Sequence, residues 1–394
     1  MSRRITADPT SRLPILKHLK DLVMCDDRSR PTGGIARRDC LKAGAATAIF
    51  AATASLAAIA GAADGATPGR RRTGLGLVIY ALNLRRKAMK LRDAQSELFE
   101  PLAFLQFCHG LGAGGVQLPL GTHDTEYTRK LCQQAEQWGM FIEGIVNLPQ
   151  RDTDVERFEA DIRTAVQVGA RVVRTTMIAG RRYEQYRSHA EFHDAIEHGR
   201  KSLMGVVPLV ERHRVRLAVE NHKDERVQER LALFRKINSE YVGACVDLGN
   251  SLSLLEEPLA VAEAYAPWAF TVHLKDQAVR EYPEGFLLAD VPLGEGFLDL
   301  KAMVATVRRA RPEVRFGLET ITRDPLQVPC LTEKYWATMA DVPGSDLART
   351  LRTVRARQAS TLPQVDRLSL EGQVACELAG IEKSFRYASE VLGI

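Results

Sequence analysis

The feature of this sequence that most constrains its fold is an eightfold rhythm of short apolar runs. Runs rich in β-branched residues fall near residues 75–82, 115–119, 140–148, 171–177, 215–221, 241–248, 270–275 and 314–320. Amphipathic stretches separate them, among them 125–138, 152–168, 193–213 and 298–310. Short strands that alternate with longer helices bury both faces of a parallel sheet. Eight such units in about 250 residues have the count and length of an α/β fold of the (β/α)8, or TIM, barrel type. An open doubly wound sheet is the rival, and its mark is missing: no glycine-rich phosphate turn follows the first run. Residues 73–325 are read as the barrel. Residues 326–394 carry helical patterns over 332–358 and 368–392, with a break at Thr361-Leu362-Pro363. They are read as a C-terminal helical extension, packed on the barrel or on a partner subunit of a homo-oligomer.

Residues 1–72 are a different kind of chain. The segment Ala36-Arg37-Arg38-Asp39-Cys40-Leu41-Lys42 precedes an uncharged, alanine-rich run over 43–63. Paired arginines, a short polar step and a moderately apolar stretch resemble a twin-arginine export signal, with Cys40 where that signal usually has phenylalanine. Ala60-Gly61-Ala62 offers a cleavage site. The expectation is an export leader and linker, passage through the twin-arginine machinery, and a periplasmic or otherwise extracytoplasmic protein. A retained membrane anchor is the alternative: the run is long enough to span a bilayer, but alanine is weakly apolar.

Charge decides one exclusion. The whole chain carries +5, yet residues 1–72 hold 13 Lys/Arg against 6 Asp, a surplus of seven that leaves −2 on the remainder. A slightly acidic body without a clustered basic face excludes nucleic acid as the partner. The seven cysteines have neither metal-ligand nor disulfide-framework spacing and read mostly as buried thiols.

The chemistry sits at the ends of the last four runs: Val219-Glu220-Asn221-His222, Val246-Asp247-Leu248-Gly249-Asn250, Val272-His273-Leu274-Lys275-Asp276 and Leu318-Glu319-Thr320. Strand side chains alternate faces. Val215, Leu217 and Val219 share one face, and Ala218, Glu220 and His222 the other. Val246 and Leu248 oppose Cys245 and Asp247. Phe270, Val272 and Leu274 oppose Thr271, His273 and Lys275. Phe316 and Leu318 oppose Gly317 and Glu319. If the apolar faces pack on the helices, the polar ones point into the C-terminal mouth, where barrel enzymes place their sites. Three carboxylates gathered there must either take up protons more readily or share a cation. Carboxylate oxygens and an imidazole nitrogen suit one divalent ion: Mn, Mg, Co or Zn.

The set of Glu, Asp, His and Glu on strands five to eight resembles the xylose isomerase-like TIM-barrel superfamily, over roughly residues 75–323. That resemblance implies a sugar isomerase or epimerase with Glu220, Asp247, His273 and Glu319 as metal ligands. It also implies that Glu220 and Glu319 are catalytic, moving a proton on carbon next to a carbonyl through an enediolate. His222 and Lys275 share the ligands' parity. With Asn250, Gln117, Asn147 and Arg174, at the ends of other strands, they are expected to bind a small sugar or sugar derivative, with salt bridges beside the ligands an equal reading for His222 and Lys275. Glu143 lies earlier on its strand and is read as structural.

One departure matters. The 3-epimerases of that group generally carry a histidine three residues after the sixth-strand aspartate, and this chain has Asn250. Asparagine can bind a hydroxyl but cannot shuttle a proton. A metal-dependent lyase acting by β-elimination on 3-keto-glycosides is therefore the first alternative, and a non-catalytic sugar-binding protein the second. An abasic-site endonuclease would need a histidine-rich multi-metal site and a basic DNA face, which nine dispersed histidines and an acidic body do not supply.

Overall fold

A computed structural model describes residues 72–93 and 99–394, all within one compact unit. The paired arginines and the alanine-rich run lie outside the described residues. No helix among the described residues is long and apolar enough to cross a membrane.

Eight parallel strands close into a barrel: β1 (Gly76–Val78), β2 (Gly115–Leu118), β3 (Phe141–Ile145), β4 (Val172–Thr175), β5 (Arg216–Glu220), β6 (Val242–Asp247), β7 (Ala269–Leu274) and β10 (Arg315–Leu318). Each pairs with its neighbour in chain order, and β10 closes the ring against β1 and β7. The first apolar run yields only three strand residues, because Ile79–Leu82 turns into a 3-10 helix. The expected helix at 125–138 is Thr125–Trp138. The Asp124 carboxylate accepts the Tyr127 N–H at its start, and Gly139 ends it in the left-handed region at φ +60°. Apolar strand faces such as Leu217, Val219, Val246, Val272 and Leu318 meet the helices in one continuous core.

Parity holds along these strands with one exception. The ladder between β6 and β7 slips between Ala244 and Cys245, so that Ala269 and Thr271 are paired while Phe270 is not. Phe270 was expected on the helix-facing side. Its ring instead joins Val172, Ala218 and Cys245 in a small cluster of inward residues. At the same end, Phe141 fits inside only because Gly76 and Gly115 carry no Cβ, which would stand 2.5 and 2.4 Å from its ring.

Between β7 and β10 the chain makes a second sheet that its apolar rhythm did not announce. A hairpin of β8 (Asp276–Tyr282) and β9 (Gly285–Val291) is joined, antiparallel, by β11 (Leu326–Val328). Val279, Phe286, Leu288 and Val328 form its apolar face, against Tyr335, Met339 and Val354. The helical pattern over 332–358 is accordingly broken: a turn at Glu333–Trp336 is followed by Gly344–Ala356, with Pro343 as the cap residue. The C-terminal helix Leu370–Tyr387 packs on the barrel. Its Glu377 carboxylate accepts the Leu84 and Arg85 N–H groups at 2.7 and 3.0 Å, and Thr73 Oγ1 donates to the carbonyl of Ile394 at 2.7 Å.

Candidate metal centre and substrate cavity

The four strand ends converge. One ligand atom from each of Glu220, Asp247, His273 and Glu319 lies within 4.8 Å of the others, and all four residues are buried. Register explains how. Asp247 sits beside His273 and His273 beside Gly317 across the parallel ladders, so Glu319 arrives one inward position further along. Asn221 locks the first two strands at this level. Its amide donates to the Asp247 carbonyl at 2.9 Å and accepts the Asp247 N–H at 2.7 Å.

Positive side chains balance the carboxylates. The Arg174 guanidinium pairs with Glu220 Oε2, its Nε at 2.6 Å, and holds that carboxyl below the usual range although burial opposes it. Lys275 Nζ lies 2.7 Å from Asp247 Oδ2 and 3.1 Å from Glu319 Oε2. Burial pushes Asp247 up to about 6. Glu319 is held well below the usual carboxylate range, against burial, by His273 and Lys275. Asp247 Oδ1 also accepts the Gly249 and Asn250 N–H groups, both at 2.9 Å.

His273 Nδ1 makes no directed hydrogen bond and lies 3.3 Å from Glu319 and 3.6 Å from Glu220. A buried, undirected nitrogen facing carboxylates is what a divalent ion needs, so the donor set fits a metal. Cys245 also reaches Glu220 and His273, but burial raises its thiol to about 11 and keeps it protonated.

Behind the imidazole, Gln117 Oε1 is 2.8 Å from His273 Nε2. Gln117 Nε2 donates to Glu143 Oε2 at 2.9 Å, and Thr271 Oγ1 donates to the same oxygen at 2.8 Å. Gln117, expected to touch substrate, thus has both ends of its amide used beneath the cluster. It is a partner of His273, and Glu143 holds Gln117 in place.

Beside the cluster opens a cavity of about 500 Å³ lined by Asn147, Arg174, His222, Asn250, Lys275 and Glu319, and by Tyr80. Asn250 donates to Glu220 Oε1 at 3.3 Å and to the Asn221 carbonyl at 3.1 Å, while its Oδ1 accepts from Lys223. Burial lowers the His222 imidazole to about 4, which leaves it neutral at pH 7. The sequence reading missed three cations on the wall: Arg181, Lys223 and Arg323. Lys223 follows the motif Glu220-Asn221-His222 directly, but its placement depends on a left-handed φ of +77° that no pattern of residue types reveals.

A family model described as the xylose isomerase-like TIM barrel matches residues 105–342, more than half of the chain. The chain belongs to that family. Over 105 residues it is 33% identical to the 3-oxo-isoapionate decarboxylase of Pectobacterium atrosepticum, a match covering 26% of this chain and 38% of that protein. The match therefore spans well under half of that relative. Among solved structures, a D-psicose 3-epimerase determined in the presence of D-fructose superposes with a TM-score of 0.50 at 11% identity, over 81% of this chain and 99% of that one. A probable 3-DHS dehydratase from Bacillus anthracis gives 0.47 at 17% identity, over 62% and 91%. At these identities the likeness is one of fold.

Proposed function

We propose that this protein is a metal-dependent enzyme that isomerises or epimerises a small sugar or sugar derivative by moving a proton on carbon next to a carbonyl. The observation that carries this reading is the convergence of Glu220, Asp247, His273 and Glu319, with Glu319 reaching the wall of a sugar-sized cavity. A divalent ion held there, Mn, Mg, Co or Zn, would supply Lewis-acid polarisation of the carbonyl. Glu220 and Glu319 come from different strands and are the proton-transfer groups. Arg174 and Lys275 stand where they balance the negative charge that develops on oxygen as the proton leaves. Neutral His222 and Asn147 are suited to hydroxyl groups.

Metal-loaded protein incubated with free ketoses in D2O tests this by deuterium wash-in at the carbon beside the carbonyl. Glu220→Gln and Glu319→Gln should each lower exchange by about 100-fold or more, in line with loss of a general acid or base. Exchange surviving in either variant at full metal occupancy rejects the two-glutamate scheme. Full occupancy with no exchange or bond cleavage on any sugar returns the reading to a non-catalytic sugar binder.

A lyase is the second reading, and the Arg174–Glu220 pair favours it. A guanidinium on the carboxylate weakens Glu220 as a base, and Asn250 supplies no proton. β-Elimination from a 3-keto-glycoside still needs a base to take the proton from the carbon beside the ketone, whereas loss of CO2 from a 3-oxo acid forms the enolate without one and leans less on Glu220. The decarboxylase relative supports the second form. Product analysis on 3-oxo substrates separates lyase from isomerase. Export by the twin-arginine route is proposed on the leader alone, and Arg37→Lys with Arg38→Lys should retain the protein in the cytoplasm.

A further inference from the structure

The cavity wall carries more positive charge than a neutral sugar can answer. With the metal reading accepted, three ligand carboxylates and a divalent ion leave one negative charge. Against it stand the three positive charges of Arg174, Lys275 and Lys223, all buried and all on the cavity. Arg174 and Lys275 have carboxylate partners within the cluster. Lys223 does not. Its ammonium bonds the neutral Asn250 Oδ1, and among the described residues no carboxylate lies within ion-pair reach of it.

Two further features mark Lys223 as held for a purpose. It is 5% exposed, so its charge is largely removed from water. Its backbone sits at φ +77°, a strained conformation for a side chain of this kind, secured by the Arg182 N–H on its carbonyl at 3.0 Å. Arg323 lies on the same wall, with only a distant partner, Asp290 at 3.9 Å. Arg181 adds a third cation, already paired with Glu184. Like charges gathered in a low-dielectric cavity are unfavourable unless an anion joins them.

We propose that the substrate of this cavity is an acidic monosaccharide derivative, whose anionic group is bound by Lys223 and Arg323 while its carbonyl end faces the four-residue cluster. The inference rests on the proposed metal-dependent activity and adds the substrate class to it. One fixed negative charge on the substrate answers Lys223, and the charge that develops on its oxygen answers the remaining positive one. A neutral ketose supplies only the second. The anionic group is a carboxylate or a phosphate, which share this chemistry.

The test uses full-length protein loaded with Mn2+, its occupancy measured independently, and isothermal titration with 2-keto-D-gluconate, D-fructose 6-phosphate and D-fructose. One of the two anions should bind at least about tenfold more tightly than D-fructose, about 1.4 kcal/mol. Preference for the first identifies a sugar acid, and for the second a sugar phosphate. Lys223→Gln and the more exposed Arg323→Gln should each cut the preference severalfold by weakening the anion more than D-fructose. Lys223→Arg should keep most of it. Equal affinity for anion and neutral sugar, failure of both anions to bind, or a preference that survives both Gln variants would overturn the proposal. Failure to bind Mn2+ is a separate result, which refutes the metal reading on its own.

Discussion

His273 donates its Nε2–H to Gln117 Oε1 across 2.8 Å, and this bond decides which ring nitrogen faces the cluster. The amide end of Gln117 is committed to Glu143, so its oxygen must point at the imidazole and can only accept. Nε2 therefore carries the hydrogen, and Nδ1 keeps its lone pair for a metal once its own proton is gone.

Gln117→Met removes that constraint without adding charge. We expect divalent-metal affinity to fall by about 10- to 100-fold, the usual effect of losing a ligand's outer partner. Competition with a fluorescent chelator measures it. An unchanged affinity would show that the orientation of His273 is set elsewhere.

Metal uptake should release protons. The imidazole of His273 is held well above its ordinary range by the Cys245 and Glu319 groups around it, against burial, and burial raises Asp247 to about 6. Both must be deprotonated to act as ligands. Affinity is expected to fall as pH drops from 8 to 6. Mn2+ titration in two buffers of different ionisation enthalpy should report release of about one proton at pH 7, mostly lost in His273→Gln. Heat that is identical in both buffers would contradict the assignment.

Of the fold, the eight barrel strands and the flanking helices could be read from periodicity, because each strand has one face that must be apolar. The convergence of Glu220, Asp247, His273 and Glu319 followed from the same parity. What could not be read depended on contacts between distant segments. The Phe270 slip arises from pairing with β6, and the second sheet forms because Leu326–Val328 meets a hairpin some 40 residues earlier. The roles of Gln117 and Lys223 are set by what lies at 3 Å, which residue type alone does not disclose.

Glu256 should make stability depend on pH. Burial raises its carboxyl from 4.5 to about 7, with the Val227 N–H and Arg226 opposing the shift. A carboxyl raised on folding contributes stability that is present below its unfolded pKa and lost as pH rises through about 7. The native protein should therefore lose on the order of 2–3 kcal/mol from this group between pH 5 and pH 8. Denaturant midpoints of native protein and Glu256→Gln at both pH values check this. The variant should show the smaller pH difference.

Asp276 anchors the path out of the second sheet. Its carboxylate accepts the backbone N–H groups of Gln277, Gly294, Gly296 and Leu298 between 2.8 and 3.2 Å. Asp276→Ala leaves these donors without their acceptor and should cost about 3 kcal/mol or more. A thermal melt within a degree of the native protein would show that water replaces the carboxylate at no cost.

The hairpin Asp276–Val291 leaves the strand bearing His273, and Leu326–Val328 returns to it from just beyond Glu319. The two strands are thus stitched together twice, once by their own ladder and once by the sheet above it. Parting that seam requires unzipping both. The amides of β7 and β10 should accordingly be among the last in the barrel to exchange with solvent, and a nick at the exposed Pro283-Glu284 turn should leave the stitch intact.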